Sequence, residues 1–137
     1  MVLLGCGGEK KTTPKLPVEK SEAEKNWQTN KGVGPISSIT LTDIDVTMVQ
    51  KGEKLFKNKC VACHKTTASR LIGPGLGNVI KRRTPEWIMN MILDPKLMTE
   101  QDRCAKDLLI EFNGAAMSNQ NLTVEQTRSI LEYFRTL

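Results

Sequence analysis

Histidine occurs once in the 137 residues, at position 64, and aromatic side chains only six times: Trp27, Phe56, Trp87, Phe112, Tyr133 and Phe134. With one imidazole, no second histidine competes with His64 for a ligand role. With so few rings, a chain of this size has little apolar filling of its own to spare. Cysteine is nearly as scarce, at positions 6, 60, 63 and 104, which is too few for a disulfide framework once a close pair is set aside. No stretch alternates apolar and polar residues as an amphipathic strand would. No aromatic is interleaved with the basic residues in a nucleic-acid-binding pattern, so nucleic acid is not an expected partner.

What is present centres on Cys60-Val61-Ala62-Cys63-His64. Two cysteines three apart with histidine directly after the second form the attachment sequence of a c-type haem. On a helical turn, positions i and i+3 share a face, so both sulfurs reach the two vinyl groups of one porphyrin. His64 then lies beneath the ring as the proximal iron ligand. A structural zinc site needs four ligands, and only Cys6 and Cys104 remain as thiols. A thioredoxin-like pair calls for a strand–helix setting, whereas helix flanks these cysteines on both sides. One covalent haem c would also fill the core that the missing aromatics leave thin, so the chain without it is expected to fold poorly.

Net charge is +5, and it is unevenly placed. Nine basic side chains fall between residues 51 and 83, against the single acid Glu53. Around a haem, such a field suits docking of acidic redox partners by electrostatic steering. The plainer reading is a solvated face plus charges that offset the haem propionates.

Residues 1–6 end in Leu3-Leu4-Gly5-Cys6, the form of a bacterial lipobox remnant. A signal peptide needs an apolar stretch of about 7–15 residues, so this reading places the true start upstream of Met1. The alternative is an incidental cysteine. Residues 7–44 read as a polar, flexible linker rich in Lys, Glu, Thr and Pro up to residue 31, with a reach of about 35 Å as a coil. Within it, the more apolar run from Gly32 to Leu41 is expected to drape over the domain. Trp27 has no evident role.

Residues 45–137 form the domain, expected to be all-α with four to five helices. Asp45 caps a helix to about Lys57, with Val46, Val49, Leu55 and Phe56 on its apolar face. Gly52 within it costs about 1 kcal/mol relative to alanine, which close contact with another helix would explain. Gly73-Pro74-Gly75-Leu76-Gly77 is turn. Thr84 caps a short helix with Pro85 first, ending before Asp94-Pro95. A further helix begins near Thr99, carries Ala105, Leu108, Leu109 and Phe112, and stops at Gly114. Cys104 borders its stripe as a partly buried residue without a redox task. The last helix opens with the capping box Thr123-Val124-Glu125-Gln126 and buries Val124, Ile130, Leu131, Phe134 and Leu137. Glu125 with Arg128, and Glu132 with Arg135, are expected as surface pairs.

Residues 45–137 resemble class I cytochromes c. The resemblance rests on Gly52-x-x-x-Phe56, Cys60-x-x-Cys63-His64, Gly73-Pro74-x-Leu76, and a methionine loop before an aromatic-bearing last helix. It implies that the first and last helices cross at Gly52 against Tyr133. It implies that the Pro74 carbonyl accepts a hydrogen bond from His64 Nδ1, and that Trp87, Asn78 and Arg82 or Arg83 lie near the haem edge and propionates. Of six methionines, Met89 and Met91 fall on a helix and Met98 leads straight into one. Met117 sits in the loop Asn113–Asn119 directly before the last helix, where family position and small neighbours make it the expected sixth ligand. The family often has proline after this methionine, whereas this chain has Ser118, so the loop is expected to be less rigid.

The lipobox, charged tether and Gly-Val-Gly-Pro lead-in also look like small anchored cytochromes of bacterial respiratory chains. The expected protein is a monomeric, lipid-anchored electron carrier on the periplasmic or cell-surface side of a bacterial membrane. It would serve a respiratory reductase or oxidase and perform no bond-making chemistry. Rival expectations are a haem enzyme or gas sensor with an open or labile sixth position, and a haem domain fixed in a larger complex.

Overall fold

The computed structural model describes residues 22–137. Cys6 and the linker up to residue 21 lie outside the described residues, and the lipobox reading with them. Six α-helices follow in order: α1 Glu22–Lys25, α2 Val46–Lys59, α3 Pro85–Leu93, α4 Pro95–Gln101, α5 Arg103–Glu111 and α6 Val124–Phe134, with 3-10 turns at Trp27–Thr29 and Val79–Lys81. Five of these build the domain. Among the described residues there is no strand, and no helix is long and apolar enough to cross a membrane.

Local capping starts the helices where the sequence suggests. The Asp45 side chain accepts from Met48 N–H, Thr84 from Trp87 N–H, and Thr123 shares a full capping box with Gln126. Each such cap satisfies amides that the first turn leaves without partners. The helix expected from Thr99 instead begins at Pro95 and breaks at Asp102 into α4 and α5. Asp102 ends one helix in an extended conformation and caps the next through Ala105 N–H at 2.8 Å. It also accepts from Trp87 Nε1 at 2.9 Å and Asn30 Nδ2 at 2.8 Å. One buried carboxylate thus joins α3, α5 and the lead-in segment.

The core forms where α2 crosses α6. A Cβ on Gly52 would lie 2.0 Å from the Ser129 carbonyl oxygen, so only glycine admits this approach. The crossing falls one turn before Tyr133, which packs on Phe56 instead, with ring centroids 5.6 Å apart. Phe56 also meets Phe134 edge-on at 5.9 Å. Ile130 and Leu131 are fully buried between the helices. Val124, expected on the buried side of α6, is 48% exposed because it sits in the first turn beyond the crossing.

The expected surface pairing on α6 is also revised. Glu132 is wholly buried, and both Arg128 and Arg135 bond to it. Its Oε1 also accepts Asp45 N–H at 2.9 Å, which fastens the start of α2 to α6. Burial alone would push this carboxyl up; the Asp45 amide and the two arginines outweigh it and hold the carboxyl below its ordinary value.

The draping expected for residues 32–41 is present. Asn90 on α3 accepts Ile36 N–H and donates to the Lys31 and Ile36 carbonyls. Glu86 accepts Ile39 N–H, Met98 Sδ accepts Val33 N–H, and Arg135 donates to the Thr42 carbonyl. Order also reaches further back than expected. Residues 24–31 pack on the domain through an ion pair from Glu24 to Arg83 and a Thr84 hydroxyl bond to the Asn30 carbonyl. Polar partners in the domain, among them Arg83, Thr84, Glu86, Asn90 and Asp102, hold this stretch.

Candidate functional site

Beside the crossing helices lies an apolar cleft of about 230 Å³, walled by residues from several parts of the chain. The end of α2 and the turn after it present Lys59, Cys60, Cys63 and His64; Ile72, Gly73, Pro74 and Leu76 follow. Trp87, Ile88, Met91 and Ile92 of α3 form the floor, with Leu108 and Phe112 from α5. Ala116, Met117, Ser118 and Gln120 close the far side.

Cys60 caps α2, and the amides of Cys63 and His64 both bond to its carbonyl, at 3.1 and 2.9 Å. That single turn brings both sulfurs and the imidazole to one wall. His64 Nδ1 lies 2.8 Å from the Pro74 carbonyl; since a carbonyl only accepts, the proton sits on Nδ1 and leaves the Nε2 lone pair free for iron. Gly73 completes the seat: a Cβ there would lie 2.6 Å from His64 Cε1. Gly75 and Gly77 are equally constrained, since a Cβ on either would strike the backbone of Thr67 and Ala68. Arg82 Nη1 donates to the Gly77 carbonyl at 2.6 Å, and Nη2 to that of Gly75.

Burial pushes the Cys60 thiol up to about 11, with Lys59 lowering it and Cys63 raising it. A thiol held that high is a poor redox nucleophile at neutral pH, which disfavours the disulfide-exchange reading. Cys104, 1% exposed and also pushed up to about 11 by burial, is inert in the same sense and more buried than expected. Among the described residues no group of three or more His, Cys, Asp or Glu could hold a metal ion. The residues present fit a haem: paired sulfurs, a histidine with the correct nitrogen free, an apolar trough and a methionine in its lining.

Of the eight site residues expected from sequence, Cys60, Cys63, His64, Pro74, Met117, Trp87 and Arg82 line this cleft. Asn78 is not among the lining residues. It is exposed, in a left-handed conformation at φ 56°, and opens the 3-10 turn while its amide bonds to the Leu137 carbonyl. Trp87 lines the cleft with its ring, but its indole N–H is spent on Asp102. Arg82 is spent on backbone carbonyls, and burial followed by the neighbouring Arg83 lowers its pKa. Met98, the other candidate ligand, is fully buried under Gly32 and Val33, away from the cleft. Met91, which its helical position assigns to packing, also reaches the cleft; its helical phase relative to Trp87 and Ile88 is the signal for it.

The basic stretch divides in the same way. Lys51, Lys54, Lys57, Lys59, Lys65, Arg70 and Lys81 are exposed. Arg83 is buried, beside Glu24 at 3.5 Å and over the Trp87 ring at 5.3 Å. Lys57 pairs with Glu53, and Arg70 pairs with Glu111 over the Phe112 ring.

A family model described as cytochrome c matches residues 49–137. A solved cytochrome c from Rhodothermus marinus is 42% identical, with a TM-score of 0.72 over 75% of this chain and 88% of that one. An engineered cytochrome c from the same organism, Rma TDE, is 41% identical, with a TM-score of 0.71 over 75% and 89%. The same engineered protein bound to a carbene intermediate gives 41% and 0.69 over 75% and 88%. No curated protein sequence matches. The cleft, with its paired cysteines and oriented histidine, is accordingly the seat of covalent haem c, and the chain belongs to the class I, single-haem cytochrome c family of electron-transfer proteins.

Proposed function

We propose that this chain is a lipid-anchored electron carrier whose iron is held by His64 on one side and Met117 on the other. The observation that carries the reading is that these two side chains line one apolar cleft, with His64 already oriented by Pro74. Haem c held there supplies a one-electron iron couple. The chain's own residues do the rest. Cys60 and Cys63 fix the porphyrin, Pro74 holds the imidazole tautomer, Met117 favours the reduced state relative to a second histidine, and the apolar walls exclude water. Neither axial ligand needs to leave, so no bond-making step is part of the function. The visible spectrum of the chemically reduced protein, with pyridine-haemochrome analysis, tests this. A low-spin six-coordinate haem c is expected, and rapid carbon monoxide binding at neutral pH would rule the closed site out.

Exposed Lys51, Lys54, Lys59, Lys65 and Lys81 favour partners with acidic docking faces, such as a respiratory reductase or oxidase, by steering the encounter. Anchoring through Cys6 would place the carrier at the periplasmic or cell-surface side of a bacterial membrane. Partitioning into detergent and crosslinking in membrane fractions test both points.

A second reading has its own observation. Among the described residues, the amides of Ala116, Met117 and Ser118 make no hydrogen bond, and an engineered relative is bound to a carbene intermediate. Both support a sixth position that opens to small ligands, as in a haem enzyme or gas sensor. Replacing Met117 with alanine separates the two: a carrier loses its low-spin spectrum and high potential, whereas an open-site protein keeps its spectrum.

A further inference from the structure

A second, more polar cavity of about 490 Å³ adjoins the haem cleft, and Pro74, Arg82, Arg83, Leu108 and Phe112 line both. Ala68, Arg70, Gly75 and Glu111 line it as well, and the segment before the family domain adds Glu24, Lys25 and Trp27. The arginines here invite a reading as an anion site, but their charges are already engaged. Arg82 donates to the Gly75 and Gly77 carbonyls, and Arg70 pairs with Glu111. Arg83 lies beside Glu24 and donates to the Arg82 carbonyl. The cavity is therefore an annex of the cleft, and the N-terminal segment forms part of its wall.

From this we infer that Glu24, acting through Arg83 at the arginine end of the haem cleft, is a positioning residue that holds down the reduction potential of the bound iron. This rests on the haem reading of the cleft. Arg83 is 8% exposed, sits over the Trp87 ring and lines the cleft directly. The Glu24 carboxylate paired with it is 29% exposed, so its charge is screened less than that of a fully exposed side chain. A nearby negative charge favours the oxidised iron, which carries one more positive charge than the reduced form. Two bonds hold the segment independently of this ion pair, Thr84 Oγ1 to the Asn30 carbonyl and Asn30 Nδ2 to Asp102. Loss of the Glu24 charge therefore leaves the Asn30 end of the segment anchored.

The test is a redox titration of the full-length holoprotein as wild type, Glu24→Gln, Glu24→Asp and Glu111→Gln. Glu111 faces the same annex and pairs with Arg70, but its side chain is 51% exposed. The expected result is a clear rise in potential for Glu24→Gln, a value near wild type for Glu24→Asp, and a smaller rise for Glu111→Gln. The low-spin spectrum should be unchanged in all of them. An unmoved potential in Glu24→Gln overturns the inference, as does a shift no larger than that of Glu111→Gln, which would mean a diffuse charge effect. A wild-type chain without covalent haem c overturns the underlying reading and this inference together. A haem-bearing wild type that is insensitive at Glu24 overturns this inference alone.

Discussion

The two walls of the cleft are built on opposite principles. The wall carrying His64 is a knot of backbone. Gly73 N–H bonds to the Cys63 carbonyl at 2.8 Å, Leu76 N–H to Lys65 at 2.9 Å, and Gly77 N–H to Thr67 at 3.1 Å. The wall carrying Met117 is a loop held at its ends. Ala115 N–H bonds to the Phe112 carbonyl, Asn119 Nδ2 reaches the Leu93 carbonyl at 3.3 Å, and Asn121 N–H bonds to Asn119 Oδ1 at 2.7 Å. Between these ties the methionine depends on packing. Local opening follows low hydrogen-bond and packing density, so the His64 side should be rigid and the Met117 side should yield first.

Glycine substitutions break this comparison most directly. In Gly75→Ala, the new Cβ would lie 2.3 Å from the Thr67 carbonyl oxygen, with Ala68 and Ser69 backbone also under 3 Å. No flexible side chain can give way there, so a loss of about 3 kcal/mol or more is expected. It should be read as a lower denaturation midpoint and less covalent haem. On the other wall, a methyl group added at Gly114 would meet nothing within 4 Å, and the only obstacle is a φ of 75°. Gly114→Ala should cost about 1 kcal/mol from the left-handed backbone alone. Equal losses at the two sites would mean the walls are equally constrained.

The frame behind both walls depends on the Glu132 clasp. Its folded pKa is lowered, so the stabilisation is fully present above the ordinary carboxylate value of 4.5 and is lost as pH falls through the lowered value. Glu132→Gln is expected to cost about 2 kcal/mol at pH 7, because Arg128 and Arg135 lose their charged partner. It should also flatten the acid side of the stability curve, as urea titrations between pH 3 and 7 would show. An unchanged acid limb would place the stabilising carboxylate elsewhere.

The sequence made one wall far more legible than the other features. Cys60, Cys63, His64 and Pro74 are close in the chain, and their chemistry is set by spacing. Asp45, Thr84 and Thr123 announce helix starts by the same local logic. Gly52 was readable because a mid-helix glycine asks for a close neighbour, though the contact proved to be Ser129 rather than Tyr133. Asp102, Asn90, Glu132 and Glu24 were not readable. A buried polar side chain is written with the same letter as an exposed one, and apart from Arg128 and Arg135 beside Glu132 the partners that fix these lie far away in sequence. Asp102 did leave a signal, an acid three residues before Ala105 within a helical run, which is the spacing of a cap.

Met117→Ala should sharpen the comparison chemically while costing little stability, since the side chain is only partly buried and its loop weakly tied. Covalent haem should remain, because Cys60, Cys63 and His64 are untouched. The low-spin spectrum and the high potential should both be lost. Retention of both would assign the sixth position to another group, and Met91, which lines the same cleft, is the first to replace next.

The smallest expected effect is also the most specific to the loop. Among the described residues the Ser118 amide donates no hydrogen bond, while its carbonyl accepts one from Gln120 Nε2 at 3.2 Å. Proline at 118 would keep the carbonyl and lose no donor that is in use. It would also restrict Met117 before it to extended conformations and reduce the freedom of the unfolded chain, a gain of about 0.5 kcal/mol where the backbone is compatible. Ser118→Pro should therefore raise stability slightly and slow carbon monoxide binding to the reduced protein several-fold, as stopped-flow mixing would measure. Faster binding, or a loss of stability, would mean that the loop is held in one conformation that proline cannot adopt. The Met117 wall would then be as rigid as the one opposite.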